Sequence, residues 1–153
     1  MRVEYINPFV ESAIQILKET VSEDVTRGQL SLKSAISPML GVVVIVGLAG
    51  QVSGRVIFDM DRDTALKVAS KMNDEKLTEF DELTTATLTE LANMITGKAV
   101  TKLQELGFQF DLTPPALLTG QNLQISDNKV EALVVPLEVP QGKIEINVGI
   151  KEN

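Results

Sequence analysis

Apolar residues recur at helical spacing along Thr84 to Leu106, TTATLTELANMITGKAVTKLQEL. At 3.6 residues per turn, Leu88, Leu91, Ala92, Ile95, Ala99, Leu103 and Leu106 fall on one stripe, which predicts a long amphipathic helix with that stripe on the core. Ala86, Glu90, Asn93 and Gly97 fall on the opposite side. Near the N-terminus, Asn7 suits an N-cap and Pro8 the first helical position, so a helix is expected from Phe9 to about Thr20, burying Val10, Ala13, Ile14, Leu17 and Val21. A third helix is expected from Thr64 to about Met72, capped by Asp61 or Asp63, with Ala65, Val68, Ala69 and Met72 inward.

The period changes elsewhere. MLGVVVIVGLAG and SGRVIFDM read as two strands joined by a short turn, and the first is apolar on both faces, as a central strand would be. Leu133, Val135, Leu137 and Val139 alternate strictly, as do Ile144, Ile146, Val148 and Ile150, which predicts a closing hairpin turned at Pro140, Gln141 and Gly142. Between the long helix and that hairpin, Phe108, Phe110 and Leu112 alternate, TPP breaks the chain, and ALLTG and NLQIS give short extended pieces. Pro136 and Pro140 in the closing hairpin point to a sheet edge, and so to a homodimer formed through sheet edges. Helix then hairpin occurs twice, the copies offset by about 88 residues as judged from VSGRVIFDM and PQGKIEINV. The expected fold class is therefore α/β with layers of the α+β kind: a pseudo-two-fold repeat whose long helices pack on an antiparallel sheet.

A length of 153 residues fits a single domain, 1–153, able to bury a core without disulfides or a structural metal. The longest apolar run, around Val42 to Val46, is too short to cross a bilayer, so a membrane protein is not expected. MRVEYINPFVES lacks the apolar core of a secretory signal, and with no cysteine in the chain a cytoplasmic location is expected. The absence of His and Cys also removes His-based triads, thiol nucleophiles and nearly every zinc or iron site. A net charge of −7 and 4% aromatic residues argue against a nucleic-acid surface. The partner expected is a protein or a small molecule.

Within those limits, Glu90 and Asn93 are the candidate chemistry. Three residues apart on a helix, they project from one patch, and Ala86 and Gly97 beside them are small enough for a partner to approach closely. A mid-helix glycine costs about 1 kcal/mol against alanine, so Gly97 calls for a docking or packing reason. Glu4 and Asn7 repeat the spacing but precede Pro8, so they are not expected to share a helical face. Asp59, Asp61 and Asp63 mimic the opening of a calcium loop, yet Thr64 stands where Gly is required and Ser70 where the closing Glu belongs. Gly47, Gly50 and Gly54 fit neither a dinucleotide fingerprint nor a P-loop.

At the long helix the sequence resembles the CheC/CheX/FliY family of bacterial chemotaxis phosphatases, its CheX branch most, over the whole chain. The family pattern is Asp or Ser, three residues, Glu, two residues, Asn, about 21 residues, then Pro. Glu90, Asn93 and Pro115 match the last three elements, within ELANMITGKA, whereas Ala86 departs from the first. The resemblance implies a CheC-like fold and a phosphatase that removes the phosphoryl group from the aspartate of a CheY-like response regulator. It implies that Asn93 orients the attacking water, that Glu90 pairs with the regulator's lysine, and that Pro115 shapes a loop. It further implies that the regulator supplies Mg²⁺, the chain holding no cofactor of its own, and that the protein is a sheet-mediated dimer. The alternative it leaves open is a non-catalytic binding module, as in the flagellar-switch relatives.

Overall fold

The computed structural model describes residues 3–33, 37–125 and 131–153. In chain order the elements are α1 (Val3–Thr20), β1 (Thr26–Arg27), β2 (Ser31–Lys33), β3 (Ser37–Pro38), β4 (Val42–Gly50), β5 (Val52–Met60), α2 (Arg62–Asn73), α3 (Glu82–Glu105), β6 (Phe110–Leu112), β7 (Ala116–Thr119), β8 (Gln124–Ile125), β9 (Ala132–Val139) and β10 (Gly142–Glu152). One eight-stranded antiparallel sheet runs β1-β9-β10-β5-β4-β6, with β2 beside β9 and β7 beside β4, while β3 and β8 pair separately. Ser126, the end of the NLQIS piece, lies outside the described residues.

The two expected hairpins meet at the centre of this sheet. In β9–β10, Leu137 faces Ile144, Val135 faces Ile146 and Leu133 faces Val148. β10 then pairs along its length with β5, Val148 facing Val56 and Ile146 facing Phe58. These residues pave one face of the sheet and, with Val44 and Val46 of β4, join the core formed with α1, α2 and α3. The other face buries Val43, Ile57 and Val134. Burial on both faces explains why β4 reads as an almost unbroken apolar run.

α1 and α3 lie antiparallel. The Tyr5 ring meets Phe108, just past the end of α3, edge-on at 5.0 Å, and Lys102 approaches Glu11 at 3.8 Å. α2 is capped by Asp61, which accepts from the Thr64 N–H at 2.7 Å, and that bond holds the Asp61 carboxyl below its ordinary pKa. Of the other two aspartates in that run, Asp59 is buried and accepts from the Leu40 N–H at 2.9 Å, and Asp63 pairs with Lys67. Capping and packing thus account for the residues that mimic a calcium loop.

Four expectations are corrected. α1 begins at Val3 rather than Phe9, with Pro8 inside it. The ring costs a helical hydrogen bond, and the turn before it is held by burial of Tyr5 and Ile6 and by the edge-on contacts of Tyr5 with Phe108 and Phe110. Glu4 and Asn7 therefore do share α1, both exposed. Leu106 does not continue the core stripe of α3, being 61% exposed. It is the C-cap, and Gly107, at φ 92°, turns the chain away while the Phe108 N–H closes onto the Leu103 carbonyl at 2.8 Å. Finally, Pro136 is not on an edge, because β9 lies between β10 and the pair β1 and β2. The missing N–H is tolerated because Pro136 falls in the gap between those two short strands, where its carbonyl accepts from the Gly28 N–H at 2.8 Å.

Candidate functional site

α3 supplies the candidate residues, and its sequence fixes which way they point. Asp81 starts the helix by accepting from the Thr84 N–H at 3.1 Å. From there Leu88, Leu91, Ala92, Ile95, Ala99 and Leu103 are all buried against α1 and the sheet. With that stripe committed to the core, the opposite stripe must face outward. Glu90, Asn93 and Ala86 are exposed, and Gly97 is half-buried. A Cβ built on Gly97 would meet no atom within 4 Å other than its own helix backbone, so packing within the chain gives no reason for the glycine.

The structure thus brings Ala86, Glu90, Asn93 and Gly97 onto one surface. At three residues apart, the Cβ atoms of Glu90 and Asn93 lie about 5–6 Å from each other, close enough for both side chains to enter one pocket on a partner. Pro115 falls in the connection between β6 and β7, on strands that contact α3. Neighbouring Thr113 ties that connection to β4, accepting from the Gly47 N–H at 2.8 Å. Gly47 is required there, since a Cβ would overlap the Thr113 side chain at 2.8 Å.

Glu90 and Asn93 stand on the exposed ridge of α3, and two grooves among the described residues lie elsewhere. One, of about 730 Å³, runs between α2 and the β9–β10 turn and includes Lys67, Lys71 and Lys76. The other, of about 400 Å³, is lined by Leu40, Arg62 and Asn122 among others. Neither includes Glu90 or Asn93. A small-molecule enzyme would place its chemistry in a concave pocket, whereas an exposed helical ridge suits a macromolecular partner that brings the pocket itself. No group of three or more His, Cys, Asp or Glu able to hold a metal occurs among the described residues, and no described helix is long and apolar enough to cross a membrane.

With this geometry in hand, residues 42–138 match the family model described as chemotaxis phosphatase CheX. The chain belongs to that family. It is accordingly a phosphatase, and its relatives align over nearly the whole chain. It is 31% identical over 153 residues to the CheY-P phosphatase CheX of Thermotoga maritima, covering 99% of this chain and 98% of the relative. A complex of CheX with CheY, BeF3 and Mg²⁺ from Borrelia burgdorferi is similar at 47% identity and a TM-score of 0.86, over 99% of this chain and 100% of that one. A CheC-like superfamily protein from Shewanella sp. PV-4 is similar at 28% identity and a TM-score of 0.90, over 99% of each. The CheC-like layering expected from the sequence is the fold of the CheX family member described here.

Two features of the surface escape the sequence pattern. Glu4 and Asn7 form a second exposed pair on α1, hidden by reading Pro8 as a helix start. The position four beyond Asn7 is Glu11, where the α3 pair has Gly97, so the α1 pair lacks the open flank. Exposed Leu83 also lies on the Glu90 stripe, two turns earlier, and a reading that begins at Thr84 leaves it out.

Because nothing packs on the Gly97 position, Gly97→Leu is expected to keep the fold and raise stability by about 0.8 kcal/mol through helix propensity, while reducing phosphatase activity by blocking the partner. Melting temperature and rate measured on the same preparation should move in opposite directions. Loss of both together would mean that the chain itself needs the glycine.

Proposed function

We propose that this CheX family member, folded as a single domain over 1–153 in the cytoplasm, dephosphorylates the aspartyl phosphate of a CheY-like response regulator. The reading is carried by one observation: Glu90 and Asn93 stand exposed on a helical ridge flanked by Ala86 and Gly97, with open space over the glycine. The relatives in which CheX acts on or binds CheY support the choice of partner.

The chemistry is hydrolysis of an acyl phosphate. Water attacks phosphorus, the bond from phosphorus to the aspartate oxygen breaks, and inorganic phosphate and a free carboxylate result. Little covalent work falls to the catalyst in such a transfer, so positioning and charge stabilisation dominate. The Asn93 amide carbonyl accepts a hydrogen bond from the attacking water and holds it in line. Being neutral, it does not repel the phosphoryl oxygens as a carboxylate would. Glu90, one turn earlier, pairs with the regulator's active-site lysine and sets the register of docking. Mg²⁺ is bound by the regulator, consistent with its presence in the Borrelia burgdorferi complex, and no cofactor is held by this chain.

Asn93→Ala should therefore abolish accelerated dephosphorylation while preserving fold and docking. An oriented nucleophile is worth several kcal/mol, so the loss should exceed about tenfold in a phosphate-release assay with the phosphorylated regulator. Activity equal to wild type would sink the assignment, and with it the distinction from a non-catalytic binding module.

Glu90→Ala should weaken regulator binding and catalysis together, and the deficit should shrink as salt rises, since ions screen exposed charges beyond about 10 Å at 0.1 M. A fall in the saturated rate with affinity unchanged would reassign Glu90 from docking to chemistry.

A homodimer through a sheet edge belongs to the same reading, with the edge moved from β9 to the β7 side. β7 pairs with β4 on one side only among the described residues, and its Leu118 is 43% exposed, so the strand can be extended by another chain. Sedimentation at micromolar concentration should give the dimer mass; a monomer alone would refute the assembly.

A further inference from the structure

One large apolar side chain on the Glu90 ridge stands outside the buried core cluster. Leu83 is 42% exposed, whereas Thr84 beside it is fully buried and Thr87 is 9% exposed. It sits seven residues before Glu90, so it lies about 10 Å further along the helix on nearly the same azimuth. The outward stripe then reads Leu83, Ala86, Glu90, Asn93 and Gly97: one apolar side chain, two small residues and the polar pair. Leu106 is also exposed, but it lies beyond the helix end and off this stripe. Position 83 is in the first turn of α3, where an acidic side chain would gain from the helix dipole and from solvent. A half-exposed leucine forgoes that gain.

We infer that Leu83 is the apolar anchor of the docking footprint, inserting into an apolar depression beside the phosphoaspartate pocket of the response regulator and setting which regulators are accepted. The inference rests on the function proposed above. A helix that presents Glu90 and Asn93 to a pocket lays its neighbouring turns along the rim of that pocket, and Leu83 is the large apolar side chain available on that path. Exposed polar residues around it would make its burial the main affinity term, as interface anchors commonly are. Leu83 acts in binding and touches no reacting atom.

The test uses the whole protein and a CheY-like regulator from the same genome, with Leu83→Gln and Leu83→Met compared with wild type. Leu83→Gln should raise the dissociation constant for the beryllofluoride- and Mg²⁺-loaded regulator by about five- to tenfold. Its saturated dephosphorylation rate should stay within about twofold and its melting temperature should be unchanged, because glutamine is a good helix former. Leu83→Met should bind as wild type. Unchanged affinity in Leu83→Gln would overturn the proposal, as would a reduced saturated rate at normal affinity. A shift of Leu83→Gln from dimer to monomer in sedimentation would also overturn it, assigning the leucine to self-association. The two readings fail separately. Wild-type activity of Asn93→Ala defeats the phosphatase site, whereas an inactive Asn93→Ala beside a normally binding Leu83→Gln defeats only the anchor.

Discussion

A straight helix cannot turn one face inward without turning the other outward. In α3, 24 residues long, that constraint governs the functional surface. Leu88, Leu91, Ile95 and Leu103 are each 3% exposed or less, and together they commit the helix to a single rotation about its axis. Rotating it to hide Glu90 would expose those side chains, each worth about 1.5–3 kcal/mol when buried. The polar pair is therefore held outward by the core itself, with no side-chain hydrogen bond to orient it among the described residues. Rigidity follows from the same source, since the ridge is a helix rather than a loop, which suits a catalyst whose contribution is position.

The sheet makes that rotation unique by fixing where α1 and α3 can lie. Its centre is the β10–β5 ladder, flanked on each side by the partner strand of its own hairpin. Because register in a ladder decides which side chains share a face, the alternation of β10 places Ile144, Ile146 and Val148 under the helices. The antiparallel helix pair then sets the α1 pair near the C-terminal end of α3, several turns from Glu90 and Asn93. The surroundings of the two pairs differ. Gly97 leaves open space one turn beyond Asn93, whereas Glu11 occupies the corresponding place beyond Asn7 and reaches toward Lys102. A repeated scaffold has thus been given one open ridge, a difference of side-chain volume rather than of backbone.

The chemistry assigned to the ridge matches what the chain lacks. With no His or Cys, it has neither a side chain titrating near neutrality nor a thiol, and the residues left to it are carboxylates, amides, hydroxyls and amines. Under the proposed function, an acyl phosphate on the partner carries the reactive bond and the partner's site supplies the cation, which leaves an amide and a carboxylate on a helix only positioning and docking to perform. The convex shape of the surface belongs to the same logic.

The sequence by itself determined the elements whose periodicity is long and regular: α3 and its two faces, α2 with its cap narrowed to Asp61 or Asp63, and the β4–β5 and β9–β10 hairpins with their pairing. In each, the side-chain pattern and the local backbone preference agree. It also supplied the candidate pair, since Glu90 and Asn93 occupy the stripe of α3 opposite the core residues Leu88, Leu91, Ile95 and Leu103. Tertiary structure decided where local signals were weak or misleading. Pro8 reads as a helix start, yet packing of Tyr5 carries α1 back to Val3. Pro136 reads as an edge, yet two short strands with no pattern of their own flank it and leave a gap at its missing N–H. Leu106 continues the stripe in sequence, but Gly107 ends the helix before it can be buried. The emptiness above Gly97 was likewise undecidable from spacing alone. Periodicity says which way a side chain points, but only the assembled layers say whether anything else in the chain occupies that space.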